Sequence, residues 1–153
     1  MRVKKTNENA ILPKRQTDGA AGYDLYVPDD IMVPRGRSVI KIGIAIELPE
    51  GCQAEIRPRS GFSLKGFEGY TDKEFKGEPQ RFDCDSTIGT IDEDYRDSVG
   101  VIVNNRDVPF FVKRGTRIAQ MVITRYETFE LEETDDLSVT GRNGGFGSTG
   151  TAL

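Results

Sequence analysis

No histidine occurs anywhere in the 153 residues. The side chain that most often shuttles protons near neutral pH is therefore missing, so a general base has to be sought among the carboxylates. Cysteine is nearly as scarce. Cys52 and Cys84 are the whole supply, and without histidine they cannot build a His/Cys/Cys zinc site of the nucleobase-deaminase kind. With no secretion signal read in the sequence, both are expected to stay reduced. No apolar run approaches the roughly 20 residues that span a bilayer, so no membrane contact is expected and the cytoplasm is the expected location. Nor is there an excess of positive charge. Lys and Arg number 21 against 25 Asp and Glu, a net charge of −4, which argues against non-specific binding to long nucleic acid. A small anion can still be gripped by a few local arginines.

What is present fits one soluble domain with a sizeable core: 36% hydrophobic and 30% charged residues. Seventeen glycines and seven prolines imply many turns and favour a β-rich architecture over a helical bundle. From Val39 to Leu48 the apolar residues Ile40, Ile42, Ile44, Ile46 and Leu48 alternate at the period of a half-buried strand. Pro49-Glu50-Gly51 reads as a turn and Gln53–Arg57 as the returning strand. Further strands are expected near Val3, over Pro109–Val112, Arg117–Ile123 and Tyr126–Leu131, with an acidic linker at 132–141.

Gly89-Thr90-Ile91-Asp92-Glu93-Asp94-Tyr95 is the most suggestive stretch. It reads as a strand end, then an acidic turn, leading into a second strand at Val99–Val103, a hairpin in all. If Ile91 anchors in the core, the next side chain points the other way, which would aim Asp92 into a cleft. In a chain without imidazole that makes Asp92 the candidate base; the bland alternative is an acidic tip in water. Asp24 interrupts the apolar strand Ala20–Tyr26, either paired with an arginine or facing outward. In Pro58–Gly66, Arg59 offers a planar fork, Ser60 a hydroxyl and Gly61 an unobstructed amide for an anion, unless the segment is a plain turn. Gln120 is the odd amide in an apolar strand and needs a partner, a ligand being one possibility.

Residues 67–85 alternate charges with Phe67, Tyr70, Phe75 and Phe82, an extended hairpin or a loop that packs on its own domain or on a partner. The terminal Gly141–Gly150 contains a formal G-x-G-x-x-G. With only three residues after it, no helix can follow, so the dinucleotide fingerprint is rejected, and no lysine makes it a Walker A loop. It is either a disordered tail or an arm able to close over an anion with a flat base.

These stretches together resemble the trimeric dUTPase family, whose five motifs appear in order. They are Ala21-Gly22-Tyr23-Asp24-Leu25, Pro58-Arg59-Ser60-Gly61, Gly89–Tyr95, Arg117-Ile118-Ala119-Gln120, and Arg142–Gly150. The resemblance implies an all-β, jelly-roll-like barrel or sandwich (residues 1–141) with a flexible glycine-rich arm (142–153) and a homotrimer sharing its active sites. It also implies hydrolysis of dUTP to dUMP and pyrophosphate, with Mg²⁺ held mainly by the substrate phosphates and not by protein ligands. In that likeness Asp92 deprotonates the attacking water, and Asp24 supports the site by holding an arginine. Gly89, Ile91, Tyr95 and Gly100 shape the uracil and deoxyribose pocket. Arg59, Ser60, Gly61 and Gln120 contact phosphate, and Arg142, Phe146, Gly147, Ser148 and Thr149 belong to the arm, with Phe146 over the base. Two departures stand out: Asp97 where the family usually has glycine, and the 67–85 spacer, longer than usual, which is read as a surface hairpin without catalytic role. The rival readings are a related dCTP deaminase or bifunctional enzyme, and a regulatory, phage-type member that binds a host protein through 67–85, in the host cytoplasm.

Overall fold

The structure, a computed structural model, describes residues 1–141. Its strands are β1 (Arg2–Lys5), β2 (Gly22–Tyr26), β3 (Ile31–Val33), β4 (Gly36–Lys41), β5 (Ile44–Glu47) and β6 (Cys52–Arg57). After one short helix, α1 (Ser60–Lys65), come β7 (Phe67–Gly69), β8 (Gln80–Phe82), β9 (Cys84–Ser86), β10 (Gly89–Ile91), β11 (Gly100–Asn105), β12 (Phe110–Val112) and β13 (Arg117–Arg125). The largest sheet runs β10–β6–β13–β2 and a second β4–β11–β9; β1 pairs with β5, β3 with β12 and β7 with β8. All pairings are antiparallel. The fold is the expected all-β, jelly-roll-like sandwich.

Period-two alternation sets the faces. Cys52, Ala54 and Ile56 of β6 point inward, as do Val101 and Val103 of β11. All of these except Cys52 meet Leu25, Val27, Ile118 and Met121 in one core. Asn105 is buried there with its amide satisfied: Nδ2 donates to the carbonyls of Pro34 (3.1 Å) and Val108 (3.0 Å), and Oδ1 accepts from the Asp107 N–H.

The isoleucine run is core, but it is two strands. Gly43, at φ +74°, breaks it, so β4 serves the β11 sheet while β5 pairs with β1. A side chain there would be strained and its Cβ would stand 2.8 Å from Asn7 Cβ. Two further readings change in the same way. Gly89–Val103 is not a hairpin: β10 extends β6 while β11 lies between β4 and β9, so residues 92–99 cross between sheets. Val99 seals the crossing, accepting from Ile42 N (3.0 Å) and donating to Ile44 O (2.8 Å). Tyr126–Leu131 forms no strand, because the chain there leaves the sheet with Phe129 and Leu131 exposed and no strand pairs with it.

The 67–85 segment is a hairpin of β7 and β8 whose aromatics pack on their own domain. Phe67 and Phe82 are buried, and the Phe82 ring stacks on Phe110 at 4.2 Å. Tyr70 exchanges backbone hydrogen bonds with Phe111, and the Lys113 ammonium lies over both the Tyr70 and Phe75 rings. The residues beyond, 71–74 and 76–79, are mostly exposed and polar.

Candidate functional site

Asp24 gathers one cluster. It sits in β2 opposite Gln120 of β13 and is buried. Its Oδ1 lies 3.3 Å from Arg59 Nε and its Oδ2 3.1 Å from Arg117 Nη1, so one carboxylate holds two guanidiniums. A buried aspartate without such partners would be costly. Arg59 is fixed further by donating to the Arg117 carbonyl (3.0 Å) and by lying over the Phe62 ring. One negative charge thus faces two positive ones, and a net positive charge remains for an incoming anion.

Gln120 satisfies its amide inside the protein, donating from Nε2 to the Pro58 carbonyl at 3.0 Å. Its Oε1 lies where a Cβ on Gly22 would be, 2.4 Å away, so the glycine of the first motif makes room for the glutamine of the fourth. Pro58–Gly66 is not simply a turn. Arg59 caps α1 in extended conformation, Ser60 and Gly61 stand exposed in its first turn, and Gly66 (φ +75°) ends it against Phe82. The first amides of a helix have no intrahelical acceptor.

A second recess lies at the start of β10 and β11. A pocket of about 240 Å³ is lined by Gly89, Thr90, Ile91, Tyr95, Val99 and Gly100, with Val39, Lys41 and Ile56 completing its walls. Gly89 opens it. Its missing side chain would share a face with Ile91 and with its partner Ile56, and a Cβ there meets no protein atom within 4 Å. Gly100 differs: a Cβ would stand 2.6 Å from Val39 Cγ1. At the rim, the Tyr95 hydroxyl donates to the Ser98 carbonyl (3.2 Å), which also accepts from Lys41 Nζ (3.1 Å).

Ile91 is buried, as the alternation demands, and Asp92 faces the opposite way. It is exposed, and its carboxylate makes no hydrogen bond or ion pair among the described residues. It lines an open acidic recess of about 410 Å³ with Gln53, Glu93, Asp94 and Tyr126. Neither this recess nor the Gly89 pocket is lined by Asp24, Arg59 or Gln120. Asp97 is not left-handed, since Phe75 is the only non-glycine residue with positive φ among those described. Its replacement of glycine carries no backbone strain. Arg142, Phe146, Gly147, Ser148 and Thr149 lie outside the described residues.

The dUTPase family model matches residues 8–80 and 83–150. The chain belongs to the dUTPase family. It is 46% identical to the deoxyuridine 5'-triphosphate nucleotidohydrolase of a Hydrogenobaculum species, over 97% of this chain and 96% of that protein. The protein of that name from Oryza sativa subsp. japonica is 44% identical over 98% of this chain and 80% of its own length. Among solved structures, a mutant dUTPase of Staphylococcus bacteriophage 80alpha with dUpNHpp superposes with a TM-score of 0.82 at 25% identity, covering 98% of both chains. The dUTPase of phage phi11 of S. aureus, described with a species-specific insert, superposes at 0.73 with 22% identity over 89% of this chain and 96% of that one, a likeness of fold alone.

Two features of this dUTPase-family chain escape a sequence reading. Arg117 joins Arg59 on Asp24; its charge at the head of an apolar strand was the available signal. Glu93 accepts from Gly51 N and from the Tyr126 hydroxyl, both at 2.8 Å. These donors, Tyr126 first, hold the Glu93 carboxyl below its ordinary range, and the same bond raises the Tyr126 phenol above its own. No periodic pattern links positions 51, 93 and 126.

Proposed function

We propose that this protein hydrolyses dUTP to dUMP and pyrophosphate. The observation that carries the reading is the Gly89 pocket, lined largely by apolar side chains and rimmed by Tyr95, whose wall residue Ile91 is followed in the chain by Asp92, a carboxylate without a hydrogen bond or ion pair among the described residues. Uracil fits against the backbone of residues 89 and 100, with Ile91 fixing the wall and the Tyr95 ring under the deoxyribose, where a 2'-hydroxyl would collide. Mismatched hydrogen bonds in such a pocket reject cytosine more strongly than a missing methyl group discriminates. Asp92 takes a proton from water as the water oxygen bonds to the α-phosphorus. The bond from that phosphorus to the bridging oxygen breaks, and the oxygen leaves with pyrophosphate. Arg59, with Ser60, Gly61 and Gln120, receives the phosphates, and Asp24 holds Arg59 in place.

Among the described residues no three acidic or cysteine side chains converge as a metal site. In this reading Mg²⁺ arrives on the triphosphate, where it would offset phosphate charge. The phi11 dUTPase of another structure is described as coordinating a structural Mg(II) ion. The arm, residues 142–153, closes over the substrate, with Phe146 on the base and Arg142, Gly147, Ser148 and Thr149 at the phosphates. The Gly89 pocket and the Asp24 cluster do not share walls within one subunit, which supports a complete site formed between subunits of a homotrimer. The cytoplasm suits two unpaired, buried cysteines, Cys52 and Cys84.

Turnover assays with dUTP, UTP, dTTP and dCTP, scored for pyrophosphate and ammonia, test the substrate and reaction. Selective release of pyrophosphate from dUTP is expected. Ammonia from dCTP would overturn the proposal in favour of a deaminase. Light scattering at a monomer mass in active samples would overturn the shared site. A second reading gives 67–85 a protein partner. The mostly exposed, polar run beyond its packed root favours it, as does the description of related phage dUTPases as controlling transfer of virulence genes. Shortening 71–79 should leave dUTP turnover intact while abolishing any partner capture.

A further inference from the structure

Three segments remote in sequence meet at one carboxylate oxygen. Glu93 Oε2 accepts from Gly51 N in the turn between β5 and β6 and from the hydroxyl of Tyr126, the first residue after β13. Tyr126 N in turn donates to the Gly51 carbonyl at 3.1 Å. Each of the three residues is thus bonded to the other two, and the ring closes. Gly51 sits at φ +70°, a conformation that glycine adopts without strain.

The turn that follows is otherwise held through its backbone. Tyr95 N donates to the Asp92 carbonyl (3.1 Å), and Arg96 Nη1 donates to the carbonyls of Glu93 (2.6 Å) and Tyr95 (3.0 Å). Of the three consecutive acidic side chains, Glu93 alone is anchored; Asp92 and Asp94 make no hydrogen bond or ion pair among the described residues. β10 is an edge strand of three residues, so the ladder ends at Ile91. Among the described residues this carboxylate is the only side chain of Asp92–Asp94 that ties the acidic turn to the body of the domain; farther on, Ser98 is met by Thr6 and Lys41.

We infer that Glu93 is a positioning residue: by pinning the turn to Gly51 and to Tyr126, it sets where the Asp92 carboxylate stands. The inference rests on the reading of Asp92 as the base. Reacting groups tolerate little misplacement. A displacement of about 1 Å can cost roughly 100-fold in rate. Tyr126 also begins the segment that leads to the C-terminal arm, so the same contact fixes the root of that segment relative to Asp92.

Full-length Glu93→Ala, Glu93→Gln and Tyr126→Phe enzymes, assayed with dUTP beside Asp92→Asn, test this. Glu93→Ala should lower kcat roughly 10- to 100-fold with KM changed by no more than about twofold, the mark of lost alignment and not of lost binding. Glu93→Gln keeps an acceptor oxygen at the same reach and should recover most of kcat. Tyr126→Phe should lower kcat less, and the Glu93→Ala, Tyr126→Phe double variant should be no slower than Glu93→Ala alone, since both remove the same contact. Wild-type kcat in Glu93→Ala while Asp92→Asn is inactive overturns the positioning role. So does equal loss in the Gln and Ala variants, which would make charge, not anchorage, the cause. An active Asp92→Asn enzyme would instead overturn the assignment of the base.

Discussion

The two halves of the candidate site are held in opposite ways. The proposed phosphate half is locked by side chains, although its β2 is an edge strand like β10. Asp24 is buried, clasped by two arginines, and Gln120 is bonded to Pro58 across a space that Gly22 leaves clear. The proposed hydrolytic half hangs from β10, and Asp92 is exposed with its carboxylate unpaired among the described residues. A group that must bind charge can be stabilised by the core and still function. A group that must accept a proton works best without a competing donor, so it stands at the margin and owes its place to neighbours. Substitution of Asp24 should therefore register in both folding and binding, and of Asp92 almost wholly in rate.

Asp92→Asn provides the largest contrast. It should lose about 10²- to 10⁴-fold in kcat and keep the wild-type urea midpoint, because no native contact is removed. Near-normal turnover, or a lowered midpoint, would break the division. Asp24→Asn should do the reverse in kind. Removing one partner of a buried pair typically costs ~3–5 kcal/mol, but the two arginine side chains are 27% and 41% exposed. Solvent screening reduces this to about 2 kcal/mol, read from denaturant unfolding, together with a higher KM for dUTP.

The glycines of the pocket sharpen the contrast within one half. Gly100→Ala drives a methyl to 2.6 Å from Val39 Cγ1 and should destabilise by about 1 kcal/mol, at the low end for overpacking because Val39 is half exposed. Gly89→Ala meets nothing in the protein, so its unfolding should be unchanged and its loss confined to KM, the methyl filling the space kept for the base. Equal unfolding effects would remove the claim that the two glycines do different things.

Acid should probe the smallest effect. Glu93 is held below the ordinary carboxylate range by Tyr126 and Gly51, and Asp29 by Asn9 and then Asn7. A carboxyl with depressed folded pKa contributes stability above its unfolded value and loses it as pH falls through the folded one. Melting temperature should thus drop below the usual carboxylate range of about pH 4. The drop should be shallower in a Glu93→Gln, Asp29→Asn double variant; parallel curves would contradict it.

Much of this was legible in the residues. Alternation identified Ile40 to Leu48 as core, and the lone acid in an apolar strand narrowed Asp24 to arginine-paired or outward-facing, of which the structure has the first. Pattern could not show where a strand changes sheets, because Ile42 and Ile44 look the same on either side of Gly43; only the positive φ marks the break. The 89–103 stretch misled for a related reason. Two strands joined by a short turn usually pair, but here better partners, β6 on one side and β4 and β9 on the other, draw them apart. Tyr126–Leu131 had strand composition without a neighbour to bond. The Glu93 ring was invisible because it depends on three turns meeting, and turns carry no periodicity.

The break at Gly43 bears on how the molecule opens. Because one continuous run feeds β4 and then β5, and Val99 is bonded on both sides of the switch, neither sheet can separate without disturbing the other. Amide hydrogens of Ile40, Ile46 and Val101 should therefore exchange with deuterium together, as one cooperative unit, while those of 127–133 exchange at once. The joint that ties the layers lies beside the start of β11, so the wall of the Gly89 pocket should exchange with that unit.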